Sequence, residues 1–288
     1  MPELPEVEVI RQRLAPQLVG RTLSEVVTSE PSYFFLTPPG ELRRRLRGRT
    51  FTRFNRTGKY LLAGLDDESR VLLHLGMTGQ LFTSQAANPR LHQRTVRPAE
   101  PAAAFIPDIH THLRCYFVDP GPAVFFRDSR KFGKVRWLSP GQSDPRLDKL
   151  GPDALAVDAG HLALAGRRRR IPVKSLLLDQ TVLAGVGNIY ADEALFLANV
   201  RPTRPSNRIS VASYQRLVAA LQRVLRRSIE AGGSSISDYV TPDGMDGGYQ
   251  LERLVYGREG QPCPICQERI RRTVLGQRSA HYCSRCQR

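Results

Sequence analysis

The sequence predicts an α+β protein of more than one domain. Three observations carry this: strand-like alternation in the first half, helical periodicity from about residue 150, and four cysteines within the last 26 of 288 residues. The length suits two domains, or one large domain with an appendage. Apolar content of 41% with 7% aromatics is ordinary for a folded chain. The charge is not ordinary. Against 27 Asp and Glu stand 43 Lys and Arg, of which 38 are arginine, giving a formal charge of +16. That balance favours a polyanionic partner, and the planar guanidinium fork suits phosphate. A genome-wide arginine bias would explain Arg over Lys but not the deficit of acids.

The chain opens MPELPEVEVIRQRL. Val7, Ile10, Leu14 and Leu18 recur at the spacing of an amphipathic helix. Pro5 suits its first turn and Gly20 its stop. With the initiator methionine removed, Pro2 would present a free secondary amine at the start of a docked helix, beside Glu3. Residues 21–84 are expected to be β structure, with a hairpin turning at Asp66-Asp67-Glu68-Ser69. Residues 85–107, rich in Pro, Ala and Arg, read as a surface loop whose Arg90, Arg94 and Arg97 could extend contact with a polyanion or do nothing. Strands resume in THLRCYFVD and PAVFFRDSRKFGKVRWL, and GQSDPRLDKLGPDAL is the expected domain boundary. Cys115 reads as a small buried hydrophobe.

Beyond the boundary, VKSLLLDQ and IYADEALFLANV are expected helices joined by TVLAGVGN, with Asn188 as N-cap of the second. A third helix runs from its Ser210 cap to Gly232-Gly233. Residues 234–250 are too glycine-rich for regular structure. The helix-turn-helix offers backbone amides to an anion, although an ordinary helical hairpin would read the same. The run Arg167 to Arg170 upstream fits either a phosphate contact or a solvated loop. No secretory signal and no membrane-length apolar run are visible, so the expected compartment is the cytoplasm.

Cys263-x2-Cys266 and Cys283-x2-Cys286, sixteen residues apart, have the spacing of a four-thiolate zinc site. A disulfide pairing is disfavoured without a secretion signal. Such a closed site is structural, since no coordination position is left for chemistry. Between the knuckles lie Arg269, Arg271, Arg272 and Arg278 against one acid, the footprint of a finger that grips phosphates.

In chain order, PELPEVE, GKYLL, HLGMTG, RDSRKFG, GVGNIYADE, VYGR and the four-cysteine finger resemble the Fpg/Nei family of bifunctional DNA glycosylases. The likeness spans nearly the whole chain. It implies an N-terminal β-sandwich over 1–145 fronted by a catalytic helix, a helix–two-turn–helix domain over 150–233, and a zinc finger over 251–288. Double-stranded damaged DNA would bind across the cleft between them. It further implies a monomer, one structural zinc as sole cofactor, and a bacterial-type cytoplasmic, nucleoid-associated protein. The implied activity is base excision repair: removal of oxidised purines such as 8-oxoguanine and formamidopyrimidines, then β,δ-elimination of the abasic strand.

The resemblance assigns roles residue by residue. Pro2 would be the nucleophile that forms a Schiff base at C1′. An α-amine titrates near pH 8, so part of it is neutral at working pH. Glu3 would act as general acid and base around the sugar, with Glu6 supporting the helix terminus. Lys59 would contact the lesion phosphate and donate a proton in β-elimination; Thr57 before it departs from the family's usual small or basic residue. Arg278 would clamp phosphates and assist δ-elimination, and Asn188 would bind phosphate. His74, His110 and Arg169 match further DNA-contact positions. Met77, Arg130 and Phe132 match the residues that fill the gap left by the flipped nucleotide. The glycine-rich stretch 241–250 falls where the family has its lesion-capping loop, which favours oxidised purines over the pyrimidine-specific branch. The rivals are that pyrimidine branch, a catalytically inactive damaged-DNA-binding relative, and a zinc-ribbon module for protein contacts.

Overall fold

Eight short strands of the first half form two antiparallel sheets. They are β1 (Leu23–Thr28), β2 (Phe51–Thr57), β3 (Tyr60–Leu65), β4 (Arg70–His74), β5 (Gly79–Thr83), β6 (Thr111–Phe117), β7 (Val124–Asp128) and β8 (Lys134–Leu138). One sheet has the order β1-β6-β7-β5 and the other β2-β3-β4-β8. The computed structural model describes residues 2–87, 105–235 and 239–288. Two compact units divide the chain: Met1–Asp144 with Ala231–Gln250, and Pro145–Glu230 with Leu251–Arg288.

In the first unit the inner faces of both sheets share one apolar core, the condition for a sandwich. Val26, Leu113, Cys115 and Phe126 come from one sheet, and Phe54, Leu61, Val71 and Val135 from the other. Cys115 is buried, and that burial pushes its thiol up to about 12. Helix α1 (Leu4–Leu18) lays Val7, Ile10, Leu14 and Leu18 into the same core. It ends before Gly20, which takes φ 87°, as the stop signal requires. The Asp66 to Ser69 turn forms as expected, with Asp67 accepting from the amide and hydroxyl of Ser69.

The expectation of β structure throughout residues 21–84 needs one correction. PGELRRRL forms helix α2 (Pro39–Leu46). Proline stands in its first turn, Glu41 faces the positive end of the helix, and Leu42 and Leu46 bury one turn apart. Residues 88–104, most of the expected surface loop and all three of its arginines, lie outside the described residues. Phe105 packs edge-on against Phe82 at 4.8 Å, in a satellite cluster with Phe125 and Val240. The late segment 239–250 joins this unit through the Thr83 amide, which donates to the Pro242 carbonyl at 3.0 Å.

The second unit holds α3 (Pro145–Asp148), α4 (Ala159–Arg167), α5 (Val173–Leu178), α6 (Asn188–Leu197) and α7 (Val211–Glu230). Its finger is the hairpin β9 (Ile270–Leu275) and β10 (Arg278–Cys283). The Ser210 hydroxyl caps α7 by accepting the Ser213 amide, and Asp158 caps α4 in the same way. Gly166 lets α4 meet α7 closely: a Cβ there would lie 1.9 Å from the Tyr214 hydroxyl. Helix α6 is buried almost all round, apolar beyond Asn188 except for Asp192 and Glu193, whose charges find buried partners. Among the described residues no helix is long and apolar enough to cross a membrane.

Leu14 is fully buried on α1 against both sheets. Leu14→Ala is expected to cost about 2–5 kcal/mol, read as a lower urea midpoint with unchanged slope.

Candidate active site and nucleic-acid interface

A chain terminus normally frays, yet Pro2, Glu3 and Glu6 are all buried. Glu3 is the N-cap of α1. A reciprocal capping box joins its side chain to the Glu6 amide and the Glu6 carboxylate to its own amide, the latter at 2.8 Å. The second Glu6 oxygen accepts the Ser234 amide at 2.9 Å, from 228 residues further along. Gly233 makes that approach possible, at φ 84°; a Cβ there would sit 3.2 Å from the Glu6 carboxylate and 2.9 Å from the Tyr239 ring. Glu6 thus ties the helix start to the returning segment.

Lys59 lies 8% exposed in the two-residue turn between β2 and β3. Gly58 takes φ 57° in the first turn position, where a II′ hairpin needs glycine. A brace runs to this turn from α1. Glu8 accepts Arg56 Nε at 2.8 Å, and Arg56 donates onward to the Gly58 carbonyl at 2.9 Å. Arg11 and Gln12 bond the other Glu8 oxygen. Burial alone would raise the Glu8 carboxyl, but the hydrogen bonds and charges of Arg11 and Arg56 outweigh it and hold the group below its ordinary 4.5.

Met77 and Phe132 project from two adjacent loops, 39% and 41% exposed. The loops meet backbone to backbone at Gly76, where a Cβ would lie 2.5 Å from Gly133 N and from Phe132 C. The Arg130 guanidinium lies over the Phe132 ring at 4.6 Å, and the Arg130 carbonyl accepts the Tyr33 hydroxyl. His74 stacks on Tyr60 at 4.7 Å and accepts the Gly76 amide, so it buttresses the Met77 loop. His110 is half-buried in an Asp108 turn, its amide donating to that carboxylate.

In the second unit Asn188 is the first residue of α6, and Gly187 is the cap, one residue before the expected position. The Asn188 side chain reaches the finger instead, donating to the Ser279 hydroxyl at 3.2 Å, while its Oδ1 is buried without a partner. A serine hydroxyl can also donate, so the amide can present its NH2 outward and keep this partner. Arg278, next to Ser279, is exposed beside the Gly276-Gln277 turn, whose φ values of 52° and 66° match a type I′ hairpin. Lys174 and Asp192, both fully buried, pair at 2.6 Å. Lys174 also donates to the Ser279 carbonyl, and Asp192 accepts the His281 amide at 2.9 Å. This ion pair registers β10 on α6, bringing Asn188 and Arg278 to one edge of the fold. Glu193 accepts three successive amides, of Leu254, Val255 and Tyr256, leading into the finger. Arg169 is half-buried just past α4 and donates to the Ala165 carbonyl.

The residues that organise these sites escaped the sequence reading: Glu8, Arg56, Asp128, Lys174, Asp192, Glu193 and Ser234. One signal was available. Two acids inside the apolar run IYADEALFL can be tolerated only if each finds buried donors.

The four cysteine sulfurs lie within 4.8 Å of one another, with Cys263 to Cys286 at 3.9 Å and Cys266 to Cys283 at 3.4 Å. Thiolates at 2.3 Å from a tetrahedral zinc stand about 3.8 Å apart, so the donor set and spacing fit one structural zinc.

Three family models match the chain. They are the formamidopyrimidine-DNA glycosylase N-terminal domain over 1–135, the formamidopyrimidine-DNA glycosylase H2TH domain over 150–240, and the zinc finger found in FPG and IleRS over 260–288. A formamidopyrimidine-DNA glycosylase of Thiobacillus denitrificans is 43% identical and one of Acidithiobacillus ferrooxidans 40%, each with both chains fully covered. The MutM (Fpg) protein of Thermus thermophilus superposes with TM-score 0.83 at 36% identity, covering 99% of this chain and 98% of that one. Lactococcus lactis Fpg, solved with a THF-containing DNA and an inhibitor and also with DNA containing an oxidised pyrimidine, gives 0.84 at 31% with full coverage of both chains.

Two measurements follow from this geometry. Because the folded Glu8 carboxyl titrates below its unfolded value, its stabilising effect is present above about pH 4.5 and lost as pH falls through the depressed value. Urea midpoints at about pH 7 should separate wild type from Glu8→Gln, and the gap should narrow as pH falls below about 4.5. Cys283→Ser should drop zinc content from one equivalent to none by elemental analysis, with finger amides losing exchange protection.

Proposed function

The chain belongs to the formamidopyrimidine-DNA glycosylase family, and from that premise we propose that it is a bifunctional base-excision-repair enzyme using Pro2 as its nucleophile. It removes oxidised purines, 8-oxoguanine and formamidopyrimidines, from double-stranded DNA, then cleaves the abasic strand by β,δ-elimination. The observation that carries the reading is the buried, doubly tethered start of α1. Pro2 and Glu3 occupy the place where a chain would ordinarily fray, and a carboxylate fixes it from both sides.

Removal of Met1 frees the Pro2 amine. The nitrogen attacks C1′, the glycosidic bond breaks, and the base leaves with a proton. Opening of the sugar ring leaves an iminium, with Glu3 exchanging protons around the sugar. Loss of the C2′ proton expels the 3′ phosphate, and a second elimination expels the 5′ phosphate. Lys59, on a turn braced to α1, meets the lesion phosphate and supplies a proton. Arg278 and Asn188, held together through Ser279, grip the backbone phosphates. His74, His110 and Arg169 extend that contact. Met77 and Phe132 replace lost stacking, and Arg130 hydrogen-bonds the orphaned base. The protein acts as a monomer in this reading. Oxidised pyrimidines are the second reading, kept open by the DNA on which the Lactococcus lactis relative was crystallised.

Borohydride trapping tests the proposal on duplexes carrying 8-oxoguanine opposite cytosine, thymine glycol, or no lesion. An adduct mapped to Pro2 on the 8-oxoguanine strand is expected. Pro2→Gly should slow excision and strand cleavage by about a hundredfold or more while abasic-duplex affinity changes by less than about tenfold. Full lyase activity in that variant would sink the nucleophile assignment. Trapping on thymine glycol alone would move the chain to the pyrimidine reading. No adduct on either lesion, with Met1 shown by mass spectrometry to be removed, would leave a DNA-binding relative without chemistry.

A further inference from the structure

Asp128 ends β7 and is fully buried. Its Oδ1 accepts the Thr78 hydroxyl at 2.5 Å and the Arg130 amide at 3.2 Å. Its Oδ2 accepts the Gly133 amide at 2.7 Å. Its own amide donates to the His110 carbonyl, and its carbonyl meets His112 Nε2 at 2.9 Å and the Lys131 amide at 3.3 Å. One carboxylate therefore holds both ends of the loop bearing Arg130 and Phe132. The same group holds Thr78, the neighbour of Met77.

Packing leaves the tips of these loops partly free, because Met77 and Phe132 are 39% and 41% exposed, and the Tyr33 hydroxyl on the Arg130 carbonyl and the His74 ring on the Gly76 amide add one bond to each loop. The touching backbones at Gly76 and Gly133 supply van der Waals contact but no directional bond. Charge-assisted bonds from a buried carboxylate supply direction, and they are the strong class of hydrogen bond. Loops ordered in advance do not have to be ordered when DNA is opened.

We propose that Asp128 is a positioning residue that locks the Met77 loop and the Arg130–Phe132 loop into one wedge, so that both enter the base stack together. The inference rests on the reading of Met77, Arg130 and Phe132 as gap-filling residues. Asp128 touches no DNA in this scheme and acts only through Thr78 and the two amides.

The sharpest test is Asp128→Asn, which keeps the shape but turns one oxygen into a donor facing an N–H or O–H donor. Single-turnover release of 8-oxoguanine from duplex should fall about tenfold to a hundredfold. The fluorescence rise of a 2-aminopurine placed beside the lesion, which reports unstacking, should be lost. Cleavage of a preformed abasic site in single-stranded DNA has no stack to open, and its loss should be smaller by at least about tenfold. Thr78→Val should reproduce part of the duplex defect and Thr78→Ser should retain wild-type behaviour. The double variant D128N with T78V should be no slower than D128N alone, as residues acting through one contact do not add. Equal losses on duplex and single strand, or none on the duplex, would overturn the inference. If D128N does not fold, Thr78→Val against Thr78→Ser carries the same comparison. Met77→Ala and Phe132→Ala separate the two ideas. If both excise from duplex at the wild-type rate, the gap-filling reading itself fails. If they are slow and D128N is not, only the role of Asp128 falls.

Discussion

The Glu6 carboxylate holds two backbone amides far apart in the chain, those of Glu3 and of Ser234, the latter 228 residues beyond Glu6 itself. The organisation of the first unit depends on that contact. Without it the start of α1 would be an ordinary frayed end, and the segment from Ala231 to Gln250 would be bonded to that helix only further along, where Arg13 meets Asp243. A carboxylate 2% exposed must find donors or be neutralised. Here both donors are main-chain N–H groups, whose positions are set by the helix turn on one side and by Gly233 on the other. If Pro2 is the nucleophile, as proposed, it needs such a mount, because a displacement of about one ångström is enough to slow a reaction about a hundredfold.

The same device recurs through the molecule. Asp128 accepts two amides and a hydroxyl, Asp192 an amide and a lysine, Glu193 three amides. A buried acid gripping main chain fixes a loop more tightly than a surface ion pair can. Exposed pairs such as Arg227 with Glu230 are screened and contribute little. Met77 and Phe132, assigned to DNA, each stand beside a hydroxyl or amide held in this way, and Arg278 stands beside the Ser279 carbonyl, which Lys174, paired with Asp192, holds. The tips meet solvent, and their roots are fixed by buried charged groups.

Much of this architecture was legible from the residues. Periodicity announced α1, α5, α6 and α7, turn chemistry announced the β3–β4 hairpin, and cysteine spacing announced the zinc site. Helix α2 was missed because eight residues with three consecutive arginines give a weak apolar signal, only Leu42 and Leu46 marking the buried face. Asn188 was misplaced by one residue because a glycine and an asparagine side by side both suit a cap. The braces were illegible for a different reason. Glu8 with Arg56, and Asp128 with Thr78, are side-chain pairings across 48 and 50 residues, and only the folded register makes them neighbours. Local patterns report which face of an element is buried, not which distant donor waits there.

The path of the chain between its two units also bears on how the protein is made. The first unit takes its last piece from Ala231–Gln250, after most of the second unit has been synthesised, and the second is completed by Leu251–Arg288. On the ribosome, the opening helix therefore waits for an anchor that emerges only after the greater part of the polypeptide. A nascent chain or a prematurely terminated product that stops before Ser234 lacks the amide that Glu6 holds. Such a product carries the N-terminal proline without the mount described above. Translation itself withholds the assembled terminus until Ser234 has been made, so synthesis interrupted earlier leaves a fragment whose opening helix lacks this anchor.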